Sequence, residues 1–367
     1  MPDNSAELRE AGKLLYPLFR EHVAVEAIYH RGEDLIFKST PKIPLEEFKD
    51  KLSRQAFEAG FYLAFFQDGD SLLIMAKDIR PQKTRIPWLN ILLFVLTLAS
   101  MIIAYGYIKF ESEIFRDFSL MAEGIKFALA LMPILLFHEF GHYLAARRNK
   151  ANVSLPYFIP APTLIGTLGA VIKSRSPFKT RRELFDVGAA GPLAGFVPAV
   201  IILAVGFSNA DIINIGQQPL GTGHLLMGQS LIYYLLKILI VPPIPEGYTL
   251  IMSPTIFAGW VGLFVTMINL MPVGQLDGGH ITYALFGRKP QFYLAWIIVA
   301  GLVVMGFFWP GWFVWAFLAV VIIKLKHPPT MNDKVKLDQK RVILGWVSIV
   351  LFILTFIPIP LKFVIVQ

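Results

Sequence analysis

Two hydrophobic patterns divide the chain. Up to about residue 85, charges interrupt the apolar positions every few residues, and the spacing predicts a small soluble α+β domain. Ser5 to Phe19 reads as a helix. Val23–Tyr29 and Asp34–Phe37 read as strands around an Arg31-Gly32 turn. Leu45 to Ala59 has helical spacing, with Leu45, Phe48, Leu52 and Phe57 roughly on one face. Phe61–Phe66 and Leu72–Ala76 flank Asp68-Gly69, a hairpin signal. After a basic stretch, Arg80 to Arg85, the pattern changes to long apolar runs. Spans are predicted at about Trp88–Tyr107, Leu120–Ala146, Leu184–Phe207, Ile256–Met271, Phe292–Phe308, Trp312–Ile323 and Val342–Ile357. Several approach or pass the ~18 residues that cross a bilayer. The expected organisation is therefore a soluble domain over residues 1–85 and a membrane domain of about seven spans over residues 86–367.

Composition agrees with that division. Of 367 residues, 55% are hydrophobic and 16% charged, with a mean hydropathy of +0.57; a soluble domain is about one quarter charged. Residues 1–86 hold 13 Lys/Arg against 14 Asp/Glu, which is −1, and the remainder holds 21 against 12, which is +9, so the net +8 comes entirely from the membrane part. Much of that excess lies in short loops, where positive-inside bias orients a membrane protein. Arg147, Arg148, Lys150, Lys173, Arg175, Lys179, Arg181 and Arg182 place the loop after the second span in the cytoplasm. Arg80, Lys83 and Arg85 put the N-terminal domain on the same side, and the mostly acidic loop Glu111 to Asp117 belongs outside. No concentrated basic face with groove-reading partners is visible, so nucleic acid is not an expected partner. Met1 to Glu21 is polar and shows no signal or transit peptide.

Charge also decides one ambiguous segment. Leu225 to Val241 is apolar enough to cross, but a crossing there would send Asp277, Arg288 and Lys289 to the outer side. That breaks the charge bias, and Lys237 argues against full lipid burial, so the segment is read as interfacial or re-entrant.

The second predicted span carries His138-Glu139-Phe140-Gly141-His142. Residues four apart share a helix face, so both imidazoles can point at one ion, with Glu139 beside them to handle a proton. Ionisable groups inside a span are costly and mark function by default. With no cysteine in the chain, any metal must be held by His, Asp or Glu. Asp277 lies at the inner end of a later span in Asn269-Leu270-Met271-Pro272-Val273-Gly274-Gln275-Leu276-Asp277-Gly278-Gly279-His280. A carboxylate suits a His₂ site as third ligand and leaves a fourth position for water. Structural readings compete. The histidines can be packed, Asp277 can cap a helix, and Asn269 can bond between helices. His280, three residues after Asp277, can be a partner behind the ligands or a loop residue and is read as the latter. His224 is read as an outer-interface residue rather than a metal ligand, and Gly188, Gly191 and Gly195 as a helix-packing face.

H-E-F-G-H on a membrane helix, followed by N-L-M-P-V-G-Q-L-D-G-G, resembles the site-2 protease family of intramembrane zinc metalloproteases. The setting of these motifs covers roughly residues 120–286. The resemblance implies that His138, His142 and Asp277 bind one Zn²⁺ per chain, that Glu139 is the general base and acid, and that Asn269 lies near the scissile peptide. It also implies a membrane-inserted β-hairpin in Val153–Ser176, where Pro156, Pro160, Pro162, Gly166 and Gly169 break any helix and Thr167–Ile172 can form an edge strand. No long insertion between spans leaves room for a PDZ module, so the chain most resembles the PDZ-less branch. The fold expected is a mainly α, polytopic helical bundle with that hairpin and the small N-terminal domain. The function expected is cleavage of membrane-anchored proteins within or next to their transmembrane helix, in a prokaryotic cell membrane. The competing expectation is a non-proteolytic zinc-binding membrane protein, a transporter or an inactive protease relative, which has no need of Glu139.

Overall fold

The computed structural model describes residues 5–31, 34–68, 71–79, 87–151, 153–174, 177–214 and 223–365. Gly32 and Gly69 of the two predicted turns, the Arg80–Arg85 stretch and Arg175 lie outside the described residues. The chain forms two compact units, Met1–Arg85 and Ile86–Gln367.

In the first unit, α1 (Ser5–Phe19), β1 (Val23–Arg31), β2 (Asp34–Pro41), α2 (Leu45–Glu58), β3 (Phe61–Asp68) and β4 (Ser71–Asp78) follow one another. The strands make an antiparallel sheet in the order β1-β2-β4-β3. Alternate residues point to one face, so Leu35 and Phe37 of β2 and Leu72, Ile74 and Ala76 of β4 are all buried. Leu15 and Phe19 of α1 and Phe48 and Leu52 of α2 join them in one core. Ala56 rather than Phe57 completes the α2 stripe, because 48, 52 and 56 stay in step at four-residue spacing. Phe37 is fully buried on a central strand, edge-on to Phe19 with ring centroids 4.7 Å apart. Phe37→Ala is expected to destabilise this unit by about 3–5 kcal/mol, read as a lower denaturant midpoint for proteolysis of the N-terminal unit in the full-length protein.

The second unit is built on helices. Among the described residues four helical stretches are long and apolar enough to cross a membrane, and they contain α3 (Trp88–Phe110), α4 (Met121–Arg148), α5 (Arg181–Ser208) and α9 (Arg288–Gly306). Between α4 and α5, β5 (Tyr157–Pro160) and β6 (Thr167–Val171) pair antiparallel. Asn90 Nδ2 of α3 donates to the carbonyl of Pro156 at 2.7 Å, and Thr167 Oγ1 donates to that of Ile159 at 2.9 Å. After α5 come β7 (Ile212–Asn214), β8 (Gly223–Met227), α6 (Leu231–Ile240) and β9 (Tyr248–Leu250). The ten residues of α6 measure roughly 15 Å, half the apolar thickness of a bilayer, so this helix is too short to cross by itself. α7 (Pro254–Leu270) and α10 (Gly311–Leu318) are shorter apolar helices, α10 continuing into a π-helical turn, Ala319–Ile323. α8 (Asp277–Phe286), α11 (Gln339–Thr355) and β10 (Leu361–Ile365), paired with β8, complete the unit.

α4, α5 and α7 share one apolar core. Leu131, Ile134 and Leu135 of α4 pack with Ala199 and Leu203 of α5 and with Val261 and Leu263 of α7. On the outer helices the large apolar side chains face outward, as Ile322 and Ile353 do. An apolar exterior around a buried set of polar groups is the arrangement lipid solvation favours.

Candidate metal centre

α4 sets His138 and His142 one turn apart on the face turned toward α5 and α8. Asp277 arrives from the other direction. α7 stops at Leu270, the chain turns through Met271–Leu276, and α8 opens with Asp277 as its first residue. The turn is closed by backbone bonds from Val273 N to the carbonyl of Met271 (2.7 Å) and from Leu276 N to that of Val273 (3.0 Å). A side chain at Gly278 would overlap the Leu270 carbonyl, so glycine lets α8 start tight against the end of α7. Asp277 makes no N-cap bond. The N-cap position belongs to Leu276, which has no capping side chain, so the capping reading of Asp277 does not apply.

The three side chains converge. His138 Nε2 and His142 Nε2 are 3.1 Å apart, and Asp277 Oδ2 is 3.4 Å from the first and 3.3 Å from the second. Among the described residues this is the one His/Asp/Glu group able to hold a metal ion, with donor atoms all within 4.8 Å of one another. Donors bound at ~2.0–2.1 Å to a tetrahedral ion lie about 3.3 Å apart, so the spacing fits Zn²⁺. Two imidazole nitrogens and one carboxylate oxygen also match that ion's preferred donors. His142 Nδ1 donates to the Val187 carbonyl of α5 at 2.7 Å, which fixes the tautomer and leaves the Nε2 lone pair for a metal.

Around these three, the other predicted site residues fall into place at different distances. Glu139 is 9% exposed and makes no hydrogen bond or ion pair among the described residues. Asn269, in the last turn of α7, brings its amide to 3.5 Å from His138 Nε2. Gly188, Gly191 and Gly195 do form a close-packing face, but what they face is the site itself. A Cβ at Gly191 would overlap the His142 ring, one at Gly195 would stand 3.0 Å from His138 Cβ, and one at Gly188 would stand 2.6 Å from His280 Cβ. His280 is not a loop residue. It sits in α8, with Nδ1 2.7 Å from Nε2 of His327. His327 carried no signal in the sequence, because its partner is 47 positions away in a segment without periodicity. His224 lies in β8.

An H-E-x-x-H helix completed by an aspartate from a second helix, within an apolar bundle, defines the class as a candidate metal centre of metallopeptidase type. Residues 126–308 match the family model described as peptidase family M50. The chain belongs to this family, that of the site-2 proteases. Curated relatives include the probable zinc metalloprotease EGY1 of Arabidopsis thaliana, chloroplastic, 32% identical over 242 residues, covering 64% of this chain and 43% of that protein. The probable zinc metalloprotease EGY2 of Oryza sativa subsp. indica, also chloroplastic, is 28% identical over 300 residues, covering 80% and 54%. EGY3 of the same rice is 24% identical over 358 residues, covering 89% and 60%. The chain thus spans about half the length of the curated relatives it matches. These relatives are chloroplastic, which gives no support to the expected prokaryotic membrane. No solved structure matches the chain.

Proposed function

We propose that this chain is an intramembrane zinc endopeptidase that cuts membrane-anchored proteins within or next to their transmembrane helix. The observation that carries the proposal is the convergence of His138, His142 and Asp277 beside the unpaired, buried Glu139. His138, His142 and Asp277 would hold one Zn²⁺. Bound there, zinc lowers the pKa of water to about 7 and polarises a peptide carbonyl. Glu139 takes the proton of the attacking water as the C–O bond forms, and gives it to the amide nitrogen as the C–N bond breaks. The Asn269 amide donates to the substrate backbone beside the scissile bond.

A helical peptide bond is hydrogen-bonded to its own chain, so the substrate must unwind before it can be attacked. The strand pair β5–β6 sits between the motif helix and α5, and we read it as inserted to membrane depth, where β6 offers an edge to an extended segment. In this reading there are about seven crossings, α6 lies at the outer interface, the N-terminal unit is cytoplasmic, and the lipid bilayer is the immediate partner. Water then reaches the site from the cytoplasmic side.

The test is metal content and cleavage of a model single-span substrate by the purified protein in detergent. Cleavage by the zinc-loaded protein, lost on chelation and restored by Zn²⁺, is expected. Full zinc occupancy without cleavage of any membrane-anchored substrate would favour the non-proteolytic zinc-binding alternative. In the same assay Asp277→Ala is expected to weaken zinc retention by at least about tenfold, and unchanged occupancy would remove Asp277 from the ligand set.

A further inference from the structure

α8 is short, and its first residue is a proposed ligand. Ten residues make less than three turns, too few to hold a helix in place by its own hydrogen bonds. A small rotation of α8 about its axis would swing Asp277 away from His138 and His142. His280 lies three positions on from Asp277, on the same face of the helix. Whatever fixes His280 therefore fixes the direction in which Asp277 points.

His280 is held from two sides. On one side its Cβ backs onto Gly188 of α5. On the other it meets His327, which is 2% exposed and belongs to residues 324–338 between the α10 extension and α11. His327 Nδ1 lies 2.5 Å from the Pro328 carbonyl and must donate to it, since a carbonyl cannot donate. In neutral His327 that leaves Nε2 as an acceptor, so the 2.7 Å contact is a bond from His280 Nδ1–H to His327 Nε2. One turn further along α8, the Tyr283 ring packs on His327 with centroids 4.4 Å apart, and its hydroxyl donates to Asp333 Oδ2 at 2.6 Å.

The segment that carries His327 is itself anchored. Thr330 Oγ1 donates to Asp333 Oδ1 at 2.6 Å. Partial burial would raise the Asp333 carboxyl, but the hydroxyls of Thr330 and Tyr283 outweigh it and hold it below the ordinary carboxylate range. Met331 N and Asn332 N donate to the carbonyls of Phe178 and Lys179, each at 2.9 Å, just before α5. At the far end Arg341 of α11 pairs with Asp186 of α5 through two contacts of 2.7 Å. α5 also provides the Val187 carbonyl that orients His142. Residues 324–338 thus strap α8 to the helix that backs the two histidines.

We propose that this strap positions Asp277 for metal binding, with His327 as its positioning residue. The proposal rests on Asp277 being a ligand, and the experiment separates the two claims. Full-length protein in detergent is loaded with Zn²⁺, and release to an excess of chromophoric chelator is timed. His327→Leu fills the space of the ring without an acceptor. His327→Gln keeps an acceptor where Nε2 lies. The leucine variant is expected to release zinc about tenfold faster than wild type and the glutamine variant within about twofold of it, the scale of effects seen for groups behind metal ligands.

Wild-type release from His327→Leu overturns the proposal, as does glutamine behaving like leucine, which would assign the effect to packing alone. Tyr283→Phe keeps the ring and drops only the Asp333 bond. It is expected to speed release too, and serves if His327→Leu does not fold; an unchanged rate there also overturns the strap. Asp277→Ala is run alongside. If it releases zinc at the wild-type rate, the ligand assignment fails. If it loses zinc while His327→Leu does not, the strap alone fails.

Discussion

Glu139→Gln is expected to leave zinc content at the wild-type level and to lower the cleavage rate by about 10²–10⁴-fold, the usual contribution of a positioned general base. The two results separate because the groups are distinct. The donor atoms that converge come from His138, His142 and Asp277, and Glu139 is not among them. Glutamine has nearly the shape of glutamate, and Glu139 makes no hydrogen bond or ion pair that the change would break. The local helix should therefore be preserved, since both residues favour it equally. What disappears is the ability to take a proton from water. Retaining an unpartnered ionisable group in an apolar bundle is expensive, and proton transfer gives a reason for it. Metal analysis of the purified variant, together with timed cleavage of a single-span substrate in proteoliposomes, reads both quantities. A variant that cuts at the wild-type rate would sink the mechanism, and one that loses zinc would make Glu139 a ligand.

Much of the site could be read from the chain because two of its parts are governed by simple periodicity. The four-residue spacing of His138 and His142 puts them on one helical face wherever α4 sits. Charge bias gives the expectation that Asp277 and the inner end of that helix share a side of the membrane, and the fold brings Asp277 Oδ2 to 3.4 Å from His138 Nε2. Of Leu225 to Val241, ten residues are helical. Other features escaped because they depend on which surfaces meet. Gly188, Gly191 and Gly195 announce a close approach, but their spacing does not say that the approaching groups are His280, His142 and His138. The His280–His327 bond joins a helix to an irregular segment and leaves no pattern in either. Helix ends were also displaced by local chemistry. α7 begins at Pro254 because the Ser253 hydroxyl accepts from Ile256 N at 3.2 Å, one turn of logic that hydropathy does not contain. In α2, approximate helical spacing groups Phe57 with Leu45, Phe48 and Leu52, yet the backbone turns Ala56 to the core.

Gly191→Ala is expected to strip the site of metal although no ligand is altered. The glycine lies on α5 directly behind His142, and the methyl carbon of alanine would occupy space now filled by the imidazole ring. The ring has little freedom to yield. Its Nδ1 is bonded to the carbonyl of Val187, four residues earlier on the same helix, and its Nε2 points at His138 and Asp277. Either the ring rotates and breaks the Val187 bond, or α5 moves away from α4 and carries that carbonyl with it. Both outcomes misdirect Nε2. Intramembrane helix pairs gain their stability from such close backbone approach, so displacement also loosens the α4–α5 contact. Zinc affinity should fall at least about tenfold, as when the orienting partner of a metal-bound histidine is removed, and cleavage should fall with it. Gly301 provides the control, since a Cβ there meets nothing within 4 Å. Gly301→Ala should keep both zinc and activity, and in an α9 helix interior it should stabilise the fold by up to about 1 kcal/mol. Competition with a chelator of known affinity distinguishes the two variants. Wild-type zinc affinity in Gly191→Ala would mean that His142 does not need the glycine behind it, and that the ring's position is set from the Asp277 side alone.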